Sequence, residues 1–244
     1  MWPPRQTSSS PRDPEIIFRT DPDNPSRLLS SEDGSPPKKS RIGVYDTTIL
    51  CEQCEVITSP IDDQARKDLK EDFAGYSPIL YEGTTVGYST EQIDQGNLKR
   101  FAMSVLWRSA ASTHEFYKLV PKRIATSELW DLIQSPGSIT PECLSTLVWA
   151  YPEDSFGEVT PNPFIETLNG VRFARIYMGR YNLSIKIDSK TTPSPFRELT
   201  VGSSQQTVIV LRPGPSRHEL AVLADVARRN KEAIERVIAS RANR

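Results

Sequence analysis

The chain has 244 residues, with 30 Lys and Arg against 31 Asp and Glu, two His, three Cys and 37% hydrophobic residues, for a formal net charge of −1. A mean hydropathy of −0.46 and no apolar run near the ~18 residues of a spanning helix exclude a transmembrane segment, and the proline- and serine-rich start argues against a secretory leader. Balanced charge gives no global attraction to nucleic acid or anionic lipid, and three cysteines cannot build a disulfide framework, so a cytoplasmic, reducing setting is expected.

Residues 1–40 contain 8 of the 20 prolines and 8 serines with no apolar periodicity, so burial there cannot offset the entropy of ordering, and a disordered arm is expected. Within it, Glu15-Ile16-Ile17-Phe18-Arg19 is apolar enough to add an edge strand. Lys38, Lys39 and Arg41 form a basic run, either a solvated linker or an electrostatic tether for an acidic partner. From Arg41 onward, Ile42, Val44, Tyr45 and residues 47–50 read as a strand or hairpin leading into Cys51.

Next come Cys51-Glu52-Gln53-Cys54-Glu55 and Ser59-Pro60-Ile61-Asp62-Asp63. Ser59 predicts a helix cap, with Pro60 and two acids in the first turn and an end near Lys70. Residues 72–90 read as loop with short strands around 79–81. The strongest helical pattern spans 91–112, where Leu98, Phe101, Ala102, Val105, Leu106 and Ser109 share one face and Met103, Trp107 and Ala110 widen it. This helix is expected to be central and buried. Arg108 within it then requires a partner carboxylate, with Glu115 and Asp94 both available in sequence.

Residues 125–134 predict a short helix behind a Thr126 or Ser127 cap, ended by Ser135-Pro136-Gly137. Strand patterns then dominate at 144–151, 164–168, 171–178, 181–187 and 207–212. Asn169-Gly170 and Gly179-Arg180 mark two hairpins. A small antiparallel sheet packed on the central helix is the expected arrangement. Over 216–240, Leu220, Leu223, Val226, Ala227, Ile234, Val237 and Ile238 trace an amphipathic helix with Arg228, Arg229, Lys231, Arg236 and Arg241 in its second half, able to pack on the domain or to pair with a partner helix.

The C-x-x-C of Cys51 and Cys54 carries the clearest chemical meaning, because two thiolates at this spacing can grip one metal ion or form a redox couple, or can be two cysteines without a role. A structural zinc needs four ligands, and the remaining supply is Cys143, His114 and His218. Redox pairs of the thioredoxin type sit in a βαβ unit, an alternation this sequence lacks.

Cys51-Glu52-Gln53-Cys54-Glu55, with Leu98-Lys99-Arg100-Phe101-Ala102-Met103-Ser104-Val105-Leu106-Trp107-Arg108-Ser109 and His114-Glu115-Phe116-Tyr117 downstream, resembles a bacterial family often labelled HNH-endonuclease-like. The similarity covers roughly residues 15–120. It implies a treble-clef zinc element, of which this chain keeps Cys51 and Cys54 but lacks the upstream C-x-x-C and the histidine expected to serve as base. Where active HNH enzymes commonly carry a metal-binding histidine after the second cysteine pair, this chain has Glu55. Glu55, Asp62 and Asp63 are then either a substitute magnesium site or solvated acids at a helix start. His114 beside Glu115 is either an acid–base pair or a capping residue. Trp107 and Trp130 are expected in the core, and Tyr177, Arg180 and Tyr181 either stack on bases or pack on the sheet.

The expected fold is α+β, with a disordered arm at 1–40, a degenerate zinc-knuckle region at 41–90, a core with a central helix and small antiparallel sheet at 91–212, and an amphipathic helix at 213–244. The expected function is a non-catalytic binding relative of HNH-like proteins with a protein or nucleic-acid partner. One alternative is a metal-dependent nuclease whose missing ligands come from a second chain sharing zinc at Cys51 and Cys54, or from codons upstream of Met1. A thiol redox protein is the other. Dimers would form through the C-terminal helix or the shared zinc.

Overall fold

The structure, a computed structural model, describes residues 27–28, 38–39, 49–69, 72–135, 142, 144–151, 159–160, 162–212 and 214. The strand expected at 15–19, most of the strand or hairpin expected at 42–50, Cys143 and the C-terminal helix lie outside the described residues. In the arm, β1 (Arg27–Leu28) and β2 (Lys38–Lys39) pair antiparallel, and β1 also runs parallel to β6 (Val159–Thr160).

Helix α1 spans Glu52–Asp68. It begins eight residues earlier than expected, capped by Cys51 instead of Ser59, because the Cys51 sulfur accepts the Cys54 N–H at 3.4 Å and Glu52 and Glu55 favour the positive end of the helix dipole. Pro60 therefore lies inside the helix. It is tolerated on the exposed face, where its missing N–H costs only the bond to the Val56 carbonyl. Thr58, Ile61, Asp62, Ala65 and Asp68 recur at three- and four-residue intervals and form the buried stripe.

Helix α2, Gln95–Ala111, starts where the Asp94 carboxylate accepts the Asn97 N–H at 3.0 Å. Every residue from Leu98 to Ala110 except Arg100 is buried, so the helix is enclosed by α1, by α3 and by the sheet. Helix α3, Ser127–Gln134, is capped by Thr126, whose hydroxyl accepts from the Leu129 N–H at 3.2 Å. Trp107 packs on Trp130 with ring centroids 4.9 Å apart and donates its indole N–H to the Thr126 carbonyl at 3.0 Å, so both tryptophans are core residues.

The sheet corrects the expectation of a small antiparallel one: seven strands run in the order β3-β4-β10-β5-β9-β8-β7, and the β5–β10 pair is parallel. Strands β5 (Thr146–Ala150), β7 (Phe164–Leu168), β8 (Val171–Met178), β9 (Tyr181–Lys186) and β10 (Thr207–Leu211) match the predicted runs closely. The hairpin of β3 (Ser77–Tyr81) and β4 (Thr84–Thr90) replaces most of the loop expected at 72–90. Its turn is made by Glu82 at φ 48° and Gly83 at φ 77°, the conformation of a tight two-residue hairpin. Asn169 and Gly170 do the same between β7 and β8, at φ 47° and 81°. The sheet thus draws strands from both sides of residue 90.

Alternation along the strands sorts the two faces. Ala174, Ile176, Met178, Leu183, Ile185, Val148 and Ile209 face the helices, whereas Leu147 and Phe173 pack with Phe196 and Leu199 on the opposite side. On that second face Arg175 gives two hydrogen bonds to Glu166, at 2.9 and 2.7 Å, and a third to the Asn182 side-chain oxygen at 2.8 Å. The Ser184 hydroxyl donates to Glu166 at 2.6 Å and accepts from the Trp149 indole at 2.8 Å.

Arg108 finds neither Glu115 nor Asp94. Its guanidinium donates twice to Asp62 on α1, each bond 2.8 Å, with Asp62 9% and Arg108 6% exposed. Breaking a buried pair by removing one partner leaves an uncompensated charge. Asp62→Ala is therefore expected to cost about 3–5 kcal/mol, whereas the double change Asp62→Leu with Arg108→Met recovers most of the loss. Urea denaturation of the two variants beside the unmutated chain checks both outcomes. A second prediction concerns Gly87 in β4, where an added Cβ would meet the Ile209 carbonyl oxygen at 2.7 Å. Gly87→Ala is expected to destabilise by about 1–3 kcal/mol, read as a lower urea midpoint.

Candidate functional site

The start of α1 builds the site from two sulfurs. Cys51 is the N-cap residue and exposed, Cys54 lies one turn in and is half-buried, and their Sγ atoms are 3.1 Å apart. Cys54 falls on the same helical stripe as Thr58, Ile61 and Ala65, which is why it is partly covered; Cys51 precedes the helix and stays in solvent.

The two thiols differ electrostatically. The hydrogen bond from the Cys54 side chain holds Cys51 below the ordinary thiol range despite a small desolvation cost, and the backbone N–H groups of the first turn add to the effect. Burial, together with the hydrogen bond to Cys51 and the negative charges of Cys51 and Glu55, pushes Cys54 up to about 11. The pair therefore holds its first negative charge on Cys51 and its remaining proton on Cys54.

As zinc ligands these sulfurs supply half of a shell. Tetrahedral zinc–thiolate bonds of ~2.3 Å would set two sulfurs ~3.8 Å apart, wider than the distance here. Among the described residues, no group of three or more His, Cys, Asp or Glu side chains converges on a point where an ion would sit. The described donor set thus does not fit a complete structural zinc.

The acids proposed as a magnesium site diverge. Asp62 points inward onto Arg108, Asp63 is exposed and lies 3.3 Å from Arg66, and Glu55 is exposed in the first turn, its backbone carbonyl accepting from Thr58. Burial raises Asp62 above the ordinary carboxylate range, with Arg108 pulling in the opposite direction. His114 and Glu115 do not form an acid–base pair. The His114 Nδ1 accepts the Phe116 N–H at 3.1 Å as the cap of the short 3₁₀ turn Glu115–Tyr117, and Glu115 is paired with Lys118. Tyr177 and Tyr181 are buried, and Arg180 lies 4.3 Å over the Phe73 ring, so all three serve packing.

A cleft of about 300 Å³ is lined by Ile124, Leu129, Leu132 and Ile187, with Glu128 and Asp188 among its walls. Thr126, the cap of α3, is part of its wall, whereas the candidate site residues Cys51, Cys54, Glu55, Asp62, Asp63 and His114 do not line it. The Arg175–Glu166 network escaped sequence reasoning, although an arginine between Ala174 and Ile176 in an apolar strand signals a buried cation that needs an acid from a neighbouring strand. Comparison with protein-family models, with curated proteins and with solved structures gives no significant match.

The charge asymmetry predicts the order of alkylation. With iodoacetamide near neutral pH, Cys51 is expected to react first. In Cys51→Ser, Cys54 is expected to keep titrating above the ordinary value of 9.0, because burial is the largest cause of its shift. Peptide mass spectrometry across a pH series reads both results.

Proposed function

We propose that this protein is a non-catalytic binding relative of HNH-like proteins acting in the cytoplasm, one that retains a helical and sheet scaffold without phosphodiester chemistry. The observation that carries this reading is the bidentate Asp62–Arg108 pair: both oxygens of Asp62, one of the three candidate magnesium ligands, are committed to a guanidinium inside the core. His114, the candidate base, spends its Nδ1 on a backbone N–H. A hydrolytic site needs a base directed at water and acids directed at a metal ion, and these residues are directed elsewhere.

Binding requires a surface, and the exposed large apolar side chains support one. Leu80 and Tyr81, 62% and 65% exposed, are adjacent at the end of β3, the edge strand of the sheet, and Val56 is 70% exposed in the turn after Cys54. Apolar side chains on a chain of net charge −1 favour a protein partner over a phosphate backbone.

The test is incubation of the full chain with supercoiled plasmid DNA and Mg²⁺ or Mn²⁺. The expected result is intact plasmid. Nicking that disappears in Glu55→Ala or His114→Ala would overturn the reading in favour of a metal-dependent nuclease. In that case elemental analysis is expected to show one zinc per two chains, the signature of a site completed by a second copy.

A further inference from the structure

Cys51 and Cys54 are both free cysteines, one exposed and one half-buried, and they meet at 3.1 Å. A disulfide requires ~2.05 Å, so closing the pair takes a sulfur movement of roughly 1 Å. The N-cap residue and the third helical residue have side chains on the same side of the first turn, as the 3.1 Å between their Sγ atoms records, so small rotations about the two Cα–Cβ bonds close the gap. No other described cysteine competes for either sulfur.

We propose that Cys51 and Cys54 are a reversible dithiol–disulfide couple that exchanges with glutathione-type disulfides, Cys51 being the attacking sulfur and Cys54 the resolving one. The assignment of roles follows from access, since the entering disulfide must approach one sulfur along its own S–S axis and only Cys51 stands clear of the fold. In the first step the Cys51 thiolate attacks one sulfur of oxidised glutathione, the glutathione S–S bond breaks, and one glutathione leaves as thiolate. In the second, the Cys54 sulfur attacks Cys51 in the mixed disulfide, the Cys51–glutathione bond breaks, and the second glutathione leaves. The two protons lost by the cysteines end on the two glutathione thiolates; the protein is oxidised by two electrons and the glutathione disulfide is reduced by two. The product bond staples the N-cap to the first turn of α1 and uses both sulfurs, so oxidation withdraws them from any metal ion. The inference goes beyond the binding reading and does not depend on it, and the plasmid assay is silent on it.

The experiment uses the full chain in a metal chelator, equilibrated across ratios of reduced to oxidised glutathione, quenched in acid, alkylated and mapped by peptide mass spectrometry. The expected result is a peptide containing Cys51 and Cys54 that is lighter by two hydrogens and unalkylated, with the same ratio-dependence approached from the reduced and the oxidised side. Cys54→Ser is expected to accumulate glutathione on Cys51, and Cys51→Ser to acquire it on Cys54 at least about tenfold more slowly. Three outcomes in the unmutated chain would each overturn the proposal: both thiols still alkylated at the most oxidising ratio, glutathione persisting on Cys51, or Cys143 in the dominant disulfide.

Discussion

A guanidinium inside an apolar helix is the constraint from which the arrangement of the helices follows. Arg108 lies in the buried stretch of α2, where an unpaired cation would cost several kcal/mol of desolvation. Only a carboxylate delivered to that point relieves the cost, and α1 delivers it at Asp62 with two matched hydrogen bonds. The pair fixes the register of α1 on α2 more tightly than the apolar contacts of Ile61 and Ala65 alone, since a slide of one turn would bury both charges apart. The Asn97 side chain adds to this by donating to the Ile61 carbonyl at 3.0 Å, and Asp68 accepts from the Asp94 N–H at 3.3 Å. Cys51 precedes Asp62 by eleven residues, about 16 Å of helix, so the ion pair also fixes where the thiols emerge.

The sheet repeats the same solution on its other face. Arg175 is 2% exposed and satisfied by Glu166 and Asn182, with Ser184 and Trp149 extending the network. Strands β8 and β9 are consequently buried on both faces, one side apolar against α2 and the other partly polar. Each layer of the core thus contains one buried arginine whose partner comes from a different element. A fully satisfied pair of this kind is poor at adding stability over apolar packing but penalises misaligned packing heavily.

What the sequence revealed and what it concealed divide along the same line. The β7–β8–β9 meander was legible because apolar runs are separated by Asn169-Gly170 and Gly179-Arg180, local chemistry that needs no knowledge of distant residues. Helix α2 was legible because its apolar residues cover nearly every direction. The β3–β4 hairpin was not, because Ser77, Thr84, Thr85 and Ser89 give an edge strand and its neighbour little apolar alternation, and its Glu82-Gly83 turn resembles ordinary loop composition. The start of α1 is hidden because Pro60 is a stronger helix-start signal than a cysteine cap. Asp62 illustrates the deepest limit: beside Asp63 it read as a solvated or metal-binding acid, and only the helical phase that separates them by ~100° turns one to the core and the other to Arg66. The site itself was legible only as a pair of thiols; which of them is reached first by solvent depends on where α1 begins.

The course of α1 also bears on the chemistry of Cys51 and Cys54. A two-sulfur motif at a helix start is neutral between metal capture and thiol exchange, and the balance is set by what else converges there. Metal capture needs at least two more donors. Asp62 and Asp63 follow Cys54 by eight and nine residues, about 12 Å or more along α1, where Asp62 bonds Arg108 and Asp63 pairs with Arg66; Glu55 alone of the three is close, and its charge helps keep Cys54 protonated. Exchange needs nothing further than one accessible sulfur and a second within reach. With Asp62 that far along α1 and tied into the core, the described part of the site is left as two sulfurs poised against each other.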